Sequence, residues 1–142
     1  MANEKAARAV FTGGMRFEAE TGSGHHVVMD SPDVGDGGNS GPSPMELVLV
    51  ALAGCTGMDV IAMLRKMRQD VTAYEVAVRG TQADEHPRVY TTVTVEHTVT
   101  GHNLNPDLVR RAVELSETRY CPVGATVGKT ARITHVVTIV EE

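Results

Sequence analysis

Tryptophan is absent from this 142-residue chain, and only two phenylalanines and three tyrosines are present. Without aromatic platforms there is little on which the bases of a single-stranded nucleic acid can stack. Basic residues are also few. Thirteen Lys and Arg against eighteen Asp and Glu leave a formal charge of −5, which repels phosphate backbones and anionic lipid headgroups. Neither a nucleic-acid partner nor a membrane partner is expected. The opening residues Met1 to Val10 hold no apolar stretch of secretory-signal length. The longest apolar segment, Leu47 to Met58, is interrupted in character by Gly54, Cys55, Thr56 and Gly57. It falls short of the ~18 apolar residues of a membrane span, so the chain reads as cytoplasmic. Cysteines number two; in a reducing compartment such a pair points to chemistry or to nothing, rather than to a structural bridge.

What is present suits a packed protein. Hydrophobic residues are 42% and charged residues 22%, the composition of an ordinary soluble domain. A chain of this length buries enough surface to fold as one domain over residues 1–142 without staples. No internal repeat is visible.

The first third alternates strand-like runs with glycine. Arg8 to Thr12 and Met15 to Thr21 flank Gly13-Gly14, which predicts a hairpin. After Gly22-Ser23-Gly24, His25 to Asp30 continues as a third strand. Ser31 to Ser43 is rich in Gly and Pro and reads as a loop. Ser43-Pro44-Met45-Glu46 is a helix start, with Ser43 as cap, Pro44 at the first position and Glu46 placed to return a hydrogen bond to the cap. The helix is predicted to run to about Arg68. Its first four turns are apolar on nearly every face, so other elements must enclose it. One chain of this size has too little sheet to do so alone, and a homodimer is expected.

Val71 to Ala83 and Arg88 to Thr100 alternate apolar and polar residues at period two and predict an antiparallel pair. Asn105 and Pro106 start a second helix with Leu108, Val109, Ala112, Val113 and Leu115 on one stripe, ending before Pro122. A turn at Pro122 to Gly124 leads to a last strand, Ala131 to Val140. The order β-β-β-α-β-β-α-β is an α+β fold with mostly antiparallel neighbours.

Cys55 is the first candidate for chemistry. It lies mid-helix between Gly54 and Gly57, each costing about 1 kcal/mol of helix stability against alanine. Glycine beside a thiol opens space for a second backbone or a small substrate to approach the sulfur. A small core residue at a close helix crossing would also satisfy the spacing, and both readings stay open. Cys121 stands 66 positions later at the end of the second helix. No Cys-x-x-Cys spacing exists, which excludes a thioredoxin motif and a local zinc knuckle. Packed in one core, the two helices could bring the sulfurs within bridging distance. One thiolate could then attack a peroxide bond and the other condense with the resulting sulfenic acid.

A thiolate in mid-helix needs a cation nearby. Arg16, Arg119 and the His25-His26 pair are candidates. Asp59, one turn past Cys55, would raise the thiol pKa unless turned toward a base. His25, His26 and the two cysteines offer two nitrogens and two sulfurs. Adjacent strand residues face opposite sides, however, so neither a metal nor a cofactor is expected. His86, His97, His102 and His135 show no ligating pattern. The glycine-rich stretch Gly35 to Gly41 lacks the Lys-Ser/Thr ending of a phosphate loop.

The run Ser43-Pro-Met-Glu-Leu-Val-Leu-Val-Ala-Leu-Ala-Gly-Cys55-Thr-Gly-Met-Asp-Val60 resembles the central helix of the OsmC/Ohr family. Tyr120-Cys121-Pro122-Val123-Gly-Ala-Thr resembles that family's second-cysteine motif, and the Gly-Met-Arg-Phe hairpin with Ser23-Gly24-His25 is similar to its N-terminal part. The resemblance implies an intertwined α+β homodimer and a thiol-dependent peroxidase that reduces organic hydroperoxides or hydrogen peroxide. Cys55 would be the peroxidatic thiol, Cys121 the resolving thiol, and a dithiol the reductant. Arg16 would match the arginine that the organic-hydroperoxide branch sets over the thiolate. That branch has a glutamate directly after the helix-start proline. Here the position is Met45, and Glu46 falls one residue later, rotated by about 100°. The chain thus looks closer to the broader OsmC-like branch, for which a non-catalytic protein holding a small apolar ligand at the dimer interface is the alternative.

Overall fold

The computed structural model describes residues 3–142. The chain divides into two units, one ending at Val48 and one spanning Leu49–Glu142.

The first unit is an antiparallel meander of β1 (Ala7–Gly13), β2 (Arg16–Thr21) and β3 (His26–Met29). The β1–β2 hairpin forms as the glycine pair predicts, with the turn one residue later, at Gly14 and Met15. Gly13 and Gly14 both take positive φ, +117° and +58°, which only glycine adopts without strain. Residues 31–43 contain no strand or helix, as expected, but the buried Asp30 fastens the segment. Its carboxylate accepts hydrogen bonds from the backbone N–H groups of Ser31, Gly38 and Ser40 and, at 2.6 Å, from the Ser40 hydroxyl. Gly37 passes so close to Ser31 that a Cβ would lie 1.4 Å from its carbonyl oxygen.

Helix α1 runs Pro44–Lys66. Its start is the reciprocal cap that the sequence announces: Glu46 N–H donates to Ser43 Oγ at 3.2 Å, and Ser43 N–H to Glu46 Oε1 at 2.9 Å. The helix extends beyond the Leu47 to Met58 run on both sides. Contrary to the sequence expectation, its 23 residues are therefore long and apolar enough to cross a membrane by length and composition. Leu52, Thr56, Val60 and Leu64, spaced one turn apart, form its buried stripe. Burial of each apolar member contributes roughly 1.5–3 kcal/mol. The helix is not enclosed within one chain as its composition demands: Val50 and Met58 are 62% and 73% exposed.

In the second unit β4 (Asp70–Gln82) and β5 (Tyr90–His102) form the expected antiparallel pair. Helix α2 (Pro106–Leu115) starts at Asn105, whose side-chain oxygen accepts from Asp107 and Leu108 N–H groups. It continues into one π-helical turn, Ser116–Tyr120. The turn expected at Pro122 to Gly124 is instead a short helix, α3 (Pro122–Val127). Pro122 sits at its first position, where the missing N–H is not needed. Strand β6 (Arg132–Glu141) then returns parallel to β5, with Val95 opposite His135. A connection carrying helices allows this parallel pairing, which a short hairpin could not. Val60 and Leu64 of α1, Val99 of β5, and Val109, Ala112 and Val113 of α2 share one core.

Candidate active site

Two local features aim the thiols. On α1, Cys55 and Asp59 are four residues apart and so share a face. Beyond α2, the Cys121 N–H donates to the Ser116 carbonyl five residues back at 2.9 Å, the bond of a π turn. This widened turn sets both Ser116 and Cys121 against α1. The sulfurs of Cys55 and Cys121 and a carboxylate oxygen of Asp59 all lie within 4.8 Å of one another. Both cysteines are free. A disulfide needs about 2.05 Å, so closure requires a sulfur displacement of under roughly 3 Å.

Asp59 is turned toward a hydroxyl rather than a base. Ser116 Oγ donates to Asp59 Oδ2 at 2.9 Å and lies 2.8 Å from Thr56 Oγ1. Since the Ser116 proton goes to the carboxylate, Thr56 must donate to Ser116. Thr56 and Ser116 are completely buried, and this chain satisfies both. Burial pushes the Cys121 thiol up to about 11, with the Cys55 thiol adding to it and the Asp59 charge a smaller contributor. The Gly124 N–H, which donates to Cys121 Sγ at 3.2 Å, pulls the other way. Cys121 is therefore a protonated thiol at neutral pH. The three-atom cluster has one donor fewer than a closed tetrahedral metal site.

Behind Cys121 lies a cavity of about 180 Å³ whose walls include Leu52, Glu117, Cys121 and His135. His135 ends a chain absent from the sequence reading. The Tyr74 hydroxyl is 2.7 Å from His97 Nδ1, and His97 Nε2 is 2.8 Å from His135 Nδ1. The residues come one each from β4, β5 and β6, and the two imidazoles stack with centroids 5.1 Å apart. Burial lowers the pKa of His97 to about 4, helped by His135. Burial also lowers His135, partly countered by Glu117. Burial and then Asp59 raise Tyr74 far above the usual phenol range. All three are neutral at pH 7. A signal existed in the sequence: His97 and His135 each occupy the apolar phase of their strands, beside Val95 and Val99 and beside Ile133 and Val137. Only pairing β6 to β5 reveals that they meet.

The other candidates make contacts of their own. Arg16 stands on β2 in the first unit, where it donates to Glu18 at 3.2 Å. His25 Nδ1 is 3.1 Å from Ser23 Oγ in that same unit. Arg119 stacks over the Tyr120 ring at 5.5 Å. Glu46 serves its helix cap.

A mid-helix thiol thus lies close to a second thiol from a helix junction, on an α+β chain. The family model described as OsmC-like protein matches residues 37–136, and the chain belongs to the OsmC family. Protein YhfA of Escherichia coli K12 is 41% identical over 129 residues, covering 91% of this chain and 93% of that protein. The crystal structure of a hypothetical protein from Aquifex aeolicus superposes with a TM-score of 0.87 at 25% identity, covering 99% of both chains. An organic hydroperoxide resistance protein OsmC from Legionella pneumophila shares the fold, with a TM-score of 0.74 at 16% identity over 97% of this chain and 98% of its own.

Proposed function

We propose that the protein is a cytoplasmic, homodimeric thiol peroxidase that reduces hydroperoxides, with Cys55 oxidised first and Cys121 resolving it. The observation that carries this reading is the approach of the two sulfurs to within 4.8 Å in a protein with no disulfide. The roles follow from chemistry. A thiol held protonated by burial is a poor first nucleophile, which suits Cys121 to the second step and leaves the attack on the O–O bond to Cys55. Attack breaks that bond, leaves Cys55 as a sulfenic acid, and releases an alcohol once the leaving oxygen is protonated. Condensation with Cys121 forms the disulfide and expels water. An external dithiol returns both sulfurs to the reduced state and completes the cycle. Arg16 is assigned a role in handling the peroxide on its match to the family's arginine alone.

The exposed face of α1 supports the dimer. Val50 and Met58 are exposed there, and a Cβ at Gly54 would meet nothing within 4 Å, an open face suited to a second copy of the helix. Met58→Glu is expected to convert a dimer to a monomer in analytical ultracentrifugation.

Consumption of cumene hydroperoxide with dithiothreitol tests the activity. Cys55→Ser is expected to abolish turnover; undiminished turnover would defeat the assignment. One observation favours the second reading, a non-catalytic protein that holds a small apolar ligand. A shallow groove lined by Val50, Ala53, Met58, Ile61, Tyr74 and Val76 runs beside Gly54 and Gly57. A ligand retained on purification, with no peroxide-dependent Cys55–Cys121 bond, would establish that alternative.

A further inference from the structure

Resolution has an obstacle. The Cys121 thiol is buried and holds its proton, yet it must lose that proton to attack Cys55. The groups around it offer one neutral base with a route to pass charge on. His135 shares the cavity behind Cys121, and its Nδ1 is tied to His97, which leaves Nε2 as the ring nitrogen available to the cavity. A cavity of about 180 Å³ with this partly polar wall has room for water, each molecule occupying roughly 30 Å³.

A chain of one phenol and two neutral imidazoles has two proton arrangements. In one, Tyr74 donates to His97 Nδ1, His97 Nε2–H donates to His135 Nδ1, and His135 Nε2–H is a donor. In the other, every bond reverses, and His135 Nε2 becomes a lone pair ready to accept. Both arrangements give each ring nitrogen of the buried His97 a hydrogen-bond partner.

We propose that His135, set in place by His97 and Tyr74, is the base that removes the Cys121 proton, through one cavity water, as that sulfur closes onto Cys55. The inference rests on the peroxidase reading for its biological setting. In the resolving step the S–H bond of Cys121 breaks, its sulfur bonds to Cys55, and the S–O bond of the sulfenic acid breaks. The proton taken by His135 returns to the departing hydroxide, giving water. Tyr74 and His97 are positioning residues. The groups that act on His135 are His97 on β5, Glu117 in the π turn and Cys121 before α3, with Tyr74 on β4 at the far end of the chain. Asp59 on α1 faces Tyr74 and also lies within 4.8 Å of the Cys121 sulfur, where its carboxylate already accepts the Ser116 hydroxyl.

The test isolates closure from peroxide chemistry. Reduced protein is loaded at Cys55 with one equivalent of 5,5′-dithiobis(2-nitrobenzoate), and release of the second thionitrobenzoate is followed as Cys121 displaces it. Cys121→Ser is the control that keeps the label. With His135 as base, wild-type closure is flat with pH from the histidine range up to about pH 9. His135→Asn closes at least 100-fold more slowly at pH 7, the usual yield of a positioned base, and its rate climbs tenfold per pH unit. Tyr74→Phe slows closure and keeps the flat profile. A tenfold rise per pH unit in the wild type would overturn the proposal whether or not the variants fold, as would an unchanged profile in His135→Asn. Inertness toward hydroperoxide alongside a flat wild-type profile would instead defeat only the peroxidase reading.

Discussion

Oxidation should stabilise this chain by a calculable amount. A Cys55–Cys121 bond would close a loop of 66 residues. In the chain-entropy model, such a crosslink removes about 15 cal/mol/K from the unfolded ensemble, or about 4 kcal/mol at 25 °C. With an unfolding entropy of roughly 2.1 cal/mol/K per residue, that corresponds to a rise in melting temperature of about 14 °C for 142 residues. This figure is a ceiling. The sulfurs start up to 4.8 Å apart, and any strain in drawing them together subtracts from it. The Cys121 N–H bond to Ser116 and the buried Thr56–Ser116 contact hold the π turn in place, so the sulfurs rather than the backbone should move. The assay is differential scanning calorimetry of the reduced protein, the protein after one equivalent of oxidant, and Cys121→Ser treated identically. An increase of several degrees is expected in the wild type alone, with mass spectrometry showing the loss of two hydrogens within one chain. Identical melting of oxidised and reduced protein, or a bond formed only between chains, would refute the reasoning that the two sulfurs are poised for each other.

Three further outcomes follow from the same geometry. Ser116→Ala removes the hydroxyl that bridges Thr56 and Asp59, leaving a buried hydroxyl without its acceptor; it should cost about 1–3 kcal/mol in urea unfolding, and an unchanged midpoint would count against the network. The low pKa of His97, about 4 against 6.5, means that the unfolded chain binds a proton which the folded chain refuses between those values. Stability should therefore be complete above pH 6.5 and decline as the pH falls toward 4, with His135 adding in the same direction; denaturant midpoints at pH 7.5 and 5 check this, and equal values would contradict it. Asp30, held at about 2 by its hydrogen bonds, keeps its loop fastened above the ordinary carboxylate range and releases it only as the pH drops through about 2. Asp30→Asn should speed amide hydrogen exchange at Gly38 and Ser40 at neutral pH, without altering exchange in β5.

Much of the architecture was legible because it is encoded locally. A capping side chain followed by proline marks a helix start, and both Ser43 and Asn105 behave accordingly. Period-two alternation places Val93, Val95 and Val99 inward on β5. The π turn and α3 were less legible, since residues 116–127 carry no strong apolar period and their geometry answers to packing against α1. The site divides in the same way. Both thiols were identifiable from their motifs, and Asp59 from its spacing to Cys55. His97 and His135 were not, because 38 positions of intervening chain separate them and nothing local records which strand lies beside which.

The sequence by itself determined the strands, the helix starts, the α+β class and the family, since periodicity, caps and motifs act over a few residues. Tertiary structure alone decided that Cys55 and Cys121 meet, that β6 lies parallel to β5, and that a tyrosine and two histidines join across three strands. Those pairings depend on which apolar faces bury one another. That choice is made by the whole core at once, and no short stretch of sequence contains it.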